Sequence, residues 1–315
     1  MNALPVAARA ARLHAAGVAS SDNGRPATAV RHLRAGLRLV EDAADADPEL
    51  GEIRGRLLVS LAWAESERGR VDVGFRLLDE AEPVVPARQR PILLAQRALL
   101  LNRTGQNDLA LRQFDKAVAA LSDQSNPLDL VKALNNRSLV HLDAGQVRPA
   151  RIDLRRCGQL AERYGLPLHV ALCRVNLGCL DVLTGDLPSA LRAFATARGD
   201  YQRLAPDRMA SLAVERARAL VAAGLFDEAD RELASAIEQA TRQRLSHTYA
   251  DALLVRAEAA LLAGHPMPPR PPRQIPPHPM PPRPPRQIPP RPPGQMPPGT
   301  ARRPPPRQIP PRPPG

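Results

Sequence analysis

The side chains with the most reactive chemistry in this sequence are three cysteines and seven histidines. Cys157, Cys173 and Cys179 form no Cys-x-x-Cys pair. Their odd number argues against a disulfide framework, so we expect three buried free thiols in a reducing compartment. His169 lies four residues before Cys173, which would place both on one helix face. The ordinary interpretation of that pair is a surface histidine beside a core cysteine rather than a nucleophilic dyad.

No catalytic or metal-binding motif accompanies these residues. The sequence contains no phosphate-binding loop, no HExxH and no GxSxG. The histidines are scattered, and none belongs to a helically spaced set of His, Cys and carboxylate that would hold zinc. We therefore predict a chain that is not an enzyme, with no catalytic residue, no metal and no cofactor.

The strongly basic charge belongs mainly to the C-terminal end. The formal net charge is +12, but nine arginines and no acidic residue lie in 266–315. A nucleic-acid-binding fold would need a basic stripe on the fold itself, so we expect no specific nucleic-acid partner. The sequence also lacks an apolar stretch of about 20 residues and an uninterrupted apolar signal core. We expect a cytoplasmic protein with no membrane partner.

The elements that must position the functional side chains follow from an internal repeat of about forty residues. A small residue stands seven positions before each of seven glycines. Six of these glycines are followed by a small residue five positions later, a large apolar residue nine positions later and another small residue twelve positions later. After Gly185, these residues are Ala190, Phe194 and Ala197. The seven glycines are Gly24, Gly69, Gly105, Gly145, Gly185, Gly224 and Gly264.

This repeat predicts pairs of antiparallel helices. Glycine tolerates positive φ where a helix ends and the chain reverses. Offsets of five, nine and twelve lie on one helix face, and small residues there let two helices approach closely. We predict first helices near 5–21, 48–68, 90–104, 127–144, 167–184, 207–223 and 246–263. We predict second helices near 26–44, 71–82, 107–122, 147–164, 187–203 and 226–243.

The same register resembles the tetratricopeptide (TPR) motif, most clearly from Asn176 through Gly185 to Ala197. The resemblance covers residues 1–264. It implies an all-α fold, a right-handed TPR-type α-solenoid of about six and a half helix hairpins. A protein or peptide is the partner that such an array implies.

The TPR resemblance also implies which face binds. In that family the first helices line a concave groove, and an asparagine two positions before the small residue meets the partner peptide. Asn136 and Asn176 occupy that place, with Lys132, Asn135 and Asp143 at neighbouring groove positions. An asparagine can donate to a peptide C=O and accept from its N–H. The alternative is a hydrogen bond inside the repeat that fixes the hairpin.

Residues 265–315 form a second region, which we predict to be a disordered tail rich in proline and arginine. It holds 25 of the 36 prolines and begins with two nearly identical 13-residue units. Such a segment favours extended polyproline II over a packed core. Three interpretations remain open: a ligand for Src-homology-3-type domains, a spacer or electrostatic tether, and a tandem expansion or reading-frame slip without selected function.

The forty-residue period and the segment YADALLVRAEAALLAGHP resemble the N-terminal TPR array of actinobacterial CHAT-domain proteins. That resemblance implies a sensor or substrate-recruiting arm, while the protease domain of those proteins is absent from this sequence. We therefore expect a non-catalytic protein–protein interaction scaffold that binds a peptide or protein in the concave groove. The alternatives are a detached ligand-sensing arm of a transcription regulator and a truncated product of a CHAT-type protease gene.

Overall fold

A computed structural model describes residues 5–22, 24–41, 47–122, 126–243 and 245–264. These residues form thirteen α-helices and two short 3₁₀ turns, with no strand among them, which confirms the predicted all-α class. The tail predicted for 265–315 lies outside the described residues. The helices are α1 (Val6–Asp22), α2 (Pro26–Val40), α3 (Pro48–Glu67), α4 (Val71–Ala81), α5 (Arg90–Arg103), α6 (Asn107–Ala120), α7 (Pro127–Asp143), α8 (Val147–Arg163), α9 (Pro167–Leu183), α10 (Leu187–Leu204), α11 (Met209–Ala222), α12 (Phe226–Gln243) and α13 (Ser246–Leu262).

The turn glycines behave as the repeat predicts. All seven have positive φ, between 65° and 82°. After α7, the Gln146 N–H donates to the His141 C=O at 2.7 Å, and the Gly145 N–H donates to the Leu142 C=O. This is the Schellman arrangement that satisfies the last carbonyls of a helix. An eighth glycine, Gly165, also has positive φ and lies between α8 and α9, where the repeat pattern did not single it out.

Helix ends differ from the prediction by a few residues, mostly at prolines. The helix expected from 207 begins at Met209, because a 3₁₀ turn, Pro206–Arg208, precedes it. A similar turn, Ala87–Gln89, precedes α5. The helix expected to reach 122 ends at Ala120, since Leu121 is extended with ψ of 131°. None of these shifts changes which residues face the partner helix.

Each hairpin is held by a close approach at its small residues. A methyl group on Gly178 of α9 would lie 2.8 Å from Phe194 Cε1 of α10, and one on Gly17 of α1 would lie 2.5 Å from Leu33 Cγ of α2. Phe194 and Leu33 are both fully buried. Because the first helix presents no side chain at this point, the large apolar residue of the second helix fills the space.

The first helices also pack against one another along the array. Each first helix, from α1 to α13, touches the first helix of the next pair, and the second helices have no comparable packing with one another. The first helices therefore line the inner surface of the solenoid and the second helices form the outer surface.

The thirteenth helix is not followed by the second helix of a hairpin within the described part of the chain, as the repeat predicts. Ala257, its small residue, is only partly covered, whereas the corresponding Ala217 of α11 is fully buried. Leu254 and Leu261 of α13 are 63% and 72% exposed. Among the described residues, α13 therefore leaves part of its apolar surface uncovered.

The expectation of three free thiols is wrong for two of them. Cys157 of α8 and Cys173 of α9 are both buried and are joined as a disulfide, with Cα atoms 6.6 Å apart. Spacing rules applied within one helix miss this pair, because the two residues are 16 apart and meet across the α8–α9 loop. Cys179 is the free cysteine. The pairing leaves Cys173 without a free thiol for a dyad with His169.

We expect Gly178→Ala to destabilise the fold by about 1–3 kcal/mol, because the new methyl overpacks against Phe194. Gly199→Ala is the matched control in α10, where no heavy atom lies within 4 Å of an added Cβ. That control should stabilise the chain by roughly 0.5–1 kcal/mol through helix propensity. Urea unfolding of the two variants measures both effects, and equal stabilisation by both substitutions would contradict the close-approach explanation.

Candidate peptide-binding groove

A column of mostly polar residues runs along the inner surface, nine positions before successive turn glycines. It spans five consecutive first helices, α3 to α11, and its side chains are partly buried. The sequence prediction identified only the two asparagines. The offset of nine positions before the turn glycine, applied without requiring asparagine, would have identified the other three residues. The column comprises Ser60, Gln96, Asn136, Asn176 and Glu215.

The three predicted asparagines lie together at the centre of this column. Asn176 Nδ2 donates to Asn135 Oδ1 at 2.7 Å, and Asn135 Nδ2 lies 3.4 Å from Asn136 Oδ1. The short bond joins α9 to α7, so it fixes neighbouring hairpins to each other and not the two helices of one hairpin. Within the described residues, Asn136 Nδ2 has no hydrogen-bond partner, so its two donors remain available to a ligand.

Unsatisfied carboxamide oxygens occur one hairpin earlier. Gln96 Oε1 and Asn102 Oδ1 on α5 are buried and accept no hydrogen bond within the described part of the chain. Asn102 Nδ2 instead donates to Asp143 Oδ2 of α7 at 2.9 Å. The predicted groove residue Asp143 therefore lies beside α5. A buried acceptor without a donor is costly, typically about 1–3 kcal/mol, so an incoming N–H at this point would be favourable.

The predicted Lys132 lies at one edge of the groove, where it is exposed. Burial raises the pKa of Asp129, one turn earlier in α7, while Lys132 opposes that increase. Burial also lowers the pKa of His169 on α9, and the positive charges of Lys132 and Arg208 lower it further. The neighbouring positive charges therefore favour a neutral imidazole at His169.

The opposite stretch of the groove is acidic. Glu215 of α11 is partly buried, and burial raises the pKa of its carboxyl group, although Arg218 opposes the shift. The Cys179 thiol lies 3.4 Å from Glu215 Oε2. Burial, followed by the Glu215 charge, raises the pKa of that thiol. Cys179 is thus a protonated thiol that donates to the carboxylate, and not a nucleophile.

Other groove positions provide apolar surface or are already paired. Leu139 of α7 and Leu183 of α9 are 39% and 68% exposed, and Val175 is buried. Arg174, a further cation of α9, is bonded to Asp200 Oδ2 at 2.5 Å. The groove therefore offers carboxamides and leucines along its length, with one accessible lysine at its edge.

The turn between α1 and α2 lies close to the start of α13, the last described helix. A methyl group on Gly24 would lie 3.4 Å from Leu245 Cδ2, so the α1–α2 turn reaches the residue that precedes α13. The charge of Asp22 also acts on His169, and that of His247 on Glu67. The array consequently encloses its inner surface, and a ligand along the column would be surrounded by first helices.

The described residues contain no helix long and apolar enough to cross a membrane. Across the same ranges, no group of three or more His, Cys, Asp and Glu side chains is arranged to hold a metal ion.

Together, the ordered hairpins, the positive-φ turns and the inner column define a TPR-like α-solenoid. No protein-family model and no curated protein matches the sequence. Among solved structures, BtubC from P. vanneervenii is similar over 69% of this chain and 90% of its own, with a TM-score of 0.54 and 17% identity. A Rap protein complexed with Competence and Sporulation Factor is similar over 76% of this chain and 70% of its own, with a TM-score of 0.59 and 13% identity.

A third similar structure is the STAND protein with a tetratricopeptide repeat sensor from Pyrococcus horikoshii, with a TM-score of 0.54 and 15% identity. The match covers 75% of this chain but only 40% of that protein. At these identities the similarity establishes the fold alone.

Glu215→Gln should stabilise the array at neutral pH and have little effect at acidic pH. A carboxyl group whose pKa is raised on folding contributes stability while protonated, and the chain loses that contribution as pH rises through the raised value. The melting temperature of the variant should therefore exceed that of the unmodified chain at pH 7, with the gap closing towards pH 4. Glu258→Gln on the exposed side of α13 is the control, and a pH-independent gap for Glu215→Gln would contradict the assignment.

Proposed function

We propose that this chain is a non-catalytic protein–protein interaction scaffold that holds an extended peptide in the groove lined by α3 to α11. The observation that carries this proposal is the inner column, whose carboxamides at Gln96 and Asn136 retain unused hydrogen-bonding atoms. Unused polar atoms along an enclosed surface favour a ligand with a regular series of donors and acceptors, which is what a peptide main chain provides.

The proposed binding mode assigns a role to each predicted groove residue. Asn136 Nδ2 donates to a peptide C=O, and Asn176, held by Asn135, keeps the neighbouring hairpin at the right distance. Lys132 and Asp143 lie on either side of this centre and select for charge on the peptide. The Rap protein similar to this chain is itself complexed with Competence and Sporulation Factor, which supports a partner of this kind. We place the scaffold in the cytoplasm.

A second candidate is a sensor arm detached from a larger protein. The similarity to a STAND protein with a tetratricopeptide repeat sensor, of which this chain spans 40%, favours it. The transcription-regulator alternative is a form of the same idea, in which the groove binds the signal. The other alternative, a truncated product of a CHAT-type protease gene, assigns the groove no role, and the CHAT resemblance rests on sequence alone.

The double substitution Asn136→Ala with Asn176→Ala should weaken binding of peptides selected from a random peptide library displayed against the full chain. Loss of the Asn136 bond to the peptide and of the Asn176–Asn135 bond that sets the hairpin spacing, at about 1 kcal/mol each, predicts a rise in dissociation constant of roughly tenfold or more. Fluorescence anisotropy with the selected peptides measures the change, and circular dichroism verifies that the array stays folded.

Gln202→Ala is the matched control for this experiment, since Gln202 is exposed on the outer helix α10. It should leave the affinity unchanged. If the folded double variant binds the selected peptides as tightly as the unmodified chain, the groove is not the binding surface.

Removal of 266–315 should leave the affinity for groove-selected peptides within about twofold, because all the residues assigned to binding lie on α5 to α9. The measurement is the same anisotropy titration, performed on the full and shortened chains at equal ionic strength, since tail arginines also attract acidic peptides. If the shortened chain no longer binds any of the selected peptides, the binding function belongs to the tail.

A further inference from the structure

A second column, on the outer side of the groove, consists of arginines that directly precede the small hairpin residue. Four of the seven first helices carry one. In α7, Arg137 bonds both Asp153 oxygens of α8 at 2.7 Å and Asp115 of α6 at 2.8 Å. The arginine thus joins its own second helix to the preceding one. The four residues are Arg97, Arg137, Arg216 and Arg256.

In two seams, the carboxylate on the preceding second helix stands at the same place in the repeat. Asp115 stands ten positions after its turn glycine, and Asp79, which lies 2.9 Å from Arg97, stands ten positions after its own. Both aspartates are about two-thirds exposed, at 63% and 64%. In these two seams the arginine therefore finds an acidic partner at the protein surface.

The seam between α10 and α12 lacks that carboxylate. The residue ten positions after Gly185 is Ala195, which is exposed. Arg216 of α11 still bonds Glu232 of α12, but on the α10 side the nearby charged residue is Arg198, whose closest acidic atom is Glu232 Oε2 at 3.5 Å. Of the six second helices, only α4 and α6 carry an acidic residue at this place, and the others carry Arg34, Arg155, Ala195 and Ala234. At the α10–α12 seam the nearby charge from α10 is therefore positive.

A cavity of about 400 Å³ opens at this point. Its lining holds three arginines and two glutamates, so positive charge exceeds negative charge, which is the reverse of the Arg137 seam. Glu232 is 14% exposed and already paired with Arg216. Arg231 makes only a 3.5 Å ion pair with Glu228 and a 3.3 Å bond to a backbone carbonyl. The lining residues are Arg198, Arg216, Glu228, Arg231, Glu232 and Ser235.

We propose that this cavity binds an oxyanion, a carboxylate or phosphate group, between Arg198, Arg216 and Arg231. A guanidinium has five N–H donors, and within the described residues most of those on Arg198 and Arg231 lack a protein acceptor. Ser235 adds a hydroxyl donor to the same lining. At roughly 30 Å³ per water molecule, the cavity leaves room for an anionic group that belongs to a larger ligand.

The test uses the full chain with two probes, inorganic phosphate and a capped tetraglutamate peptide, each against sodium chloride at equal ionic strength. The nine arginines of 266–315 also attract anions. The readout is therefore the thermal unfolding midpoint, which rises only when a ligand binds the folded array better than the unfolded chain. We expect a saturable rise with at least one probe. The probe that produces it identifies the oxyanion as phosphate or carboxylate.

Two substitutions locate the effect. Arg198→Gln should weaken the apparent affinity about fivefold or more, and Ala195→Asp, which adds a carboxylate at the place that Asp115 holds in the Arg137 seam, should abolish most of the rise. Arg192→Gln is the matched control, an exposed α10 arginine bonded to Ser189 and outside the cavity lining. The proposal is overturned if neither probe raises the midpoint beyond sodium chloride, or if both Arg198→Gln and Ala195→Asp keep the full rise.

Discussion

The structure depends on the short distance between the two helices of each hairpin. That distance exists only where the first helix has a glycine, alanine or serine, as Gly178 shows by its contact with the Phe194 ring. Because the two helices of a hairpin lie close together, the hairpin is thin and the distance from one hairpin to the next is small. The first helices of successive hairpins therefore touch. The continuous inner surface, the column of polar residues on it and the return of Gly24 to Leu245 all follow from this one spacing.

Much of the fold could be predicted, because a repeat displays its constraints several times. Positive φ at seven glycines, the burial of Phe114 and Phe194, and the unpaired last helix each follow from a position that recurs in the sequence. Contacts between different positions of neighbouring repeats could not be predicted in the same way. The Cys157–Cys173 pair, the Asn176–Asn135 bond and the Arg137 bridge all join helices whose relative offset is set by packing.

The candidate groove was predicted only in part for a related reason. The resemblance to the TPR motif supplied a face and an asparagine position, and it led to Asn136 and Asn176. It did not show that Asn176 is already engaged by Asn135, nor that Glu215 occupies the same column with a raised pKa. A side chain's availability depends on its neighbours in space, and those are known only once the helices are placed.

Within a repeat array, internal comparison separates structural residues from residues that have another use. Where a position recurs with its partner, as Arg97 and Arg137 do with Asp79 and Asp115, the interaction stabilises the stack and needs no further explanation. Arg216 recurs without an aspartate at that place, and its seam holds an open, positively charged cavity. A ligand at the α10–α12 seam, or an N–H donor at the unsatisfied Gln96, would supply partners that the fold itself does not.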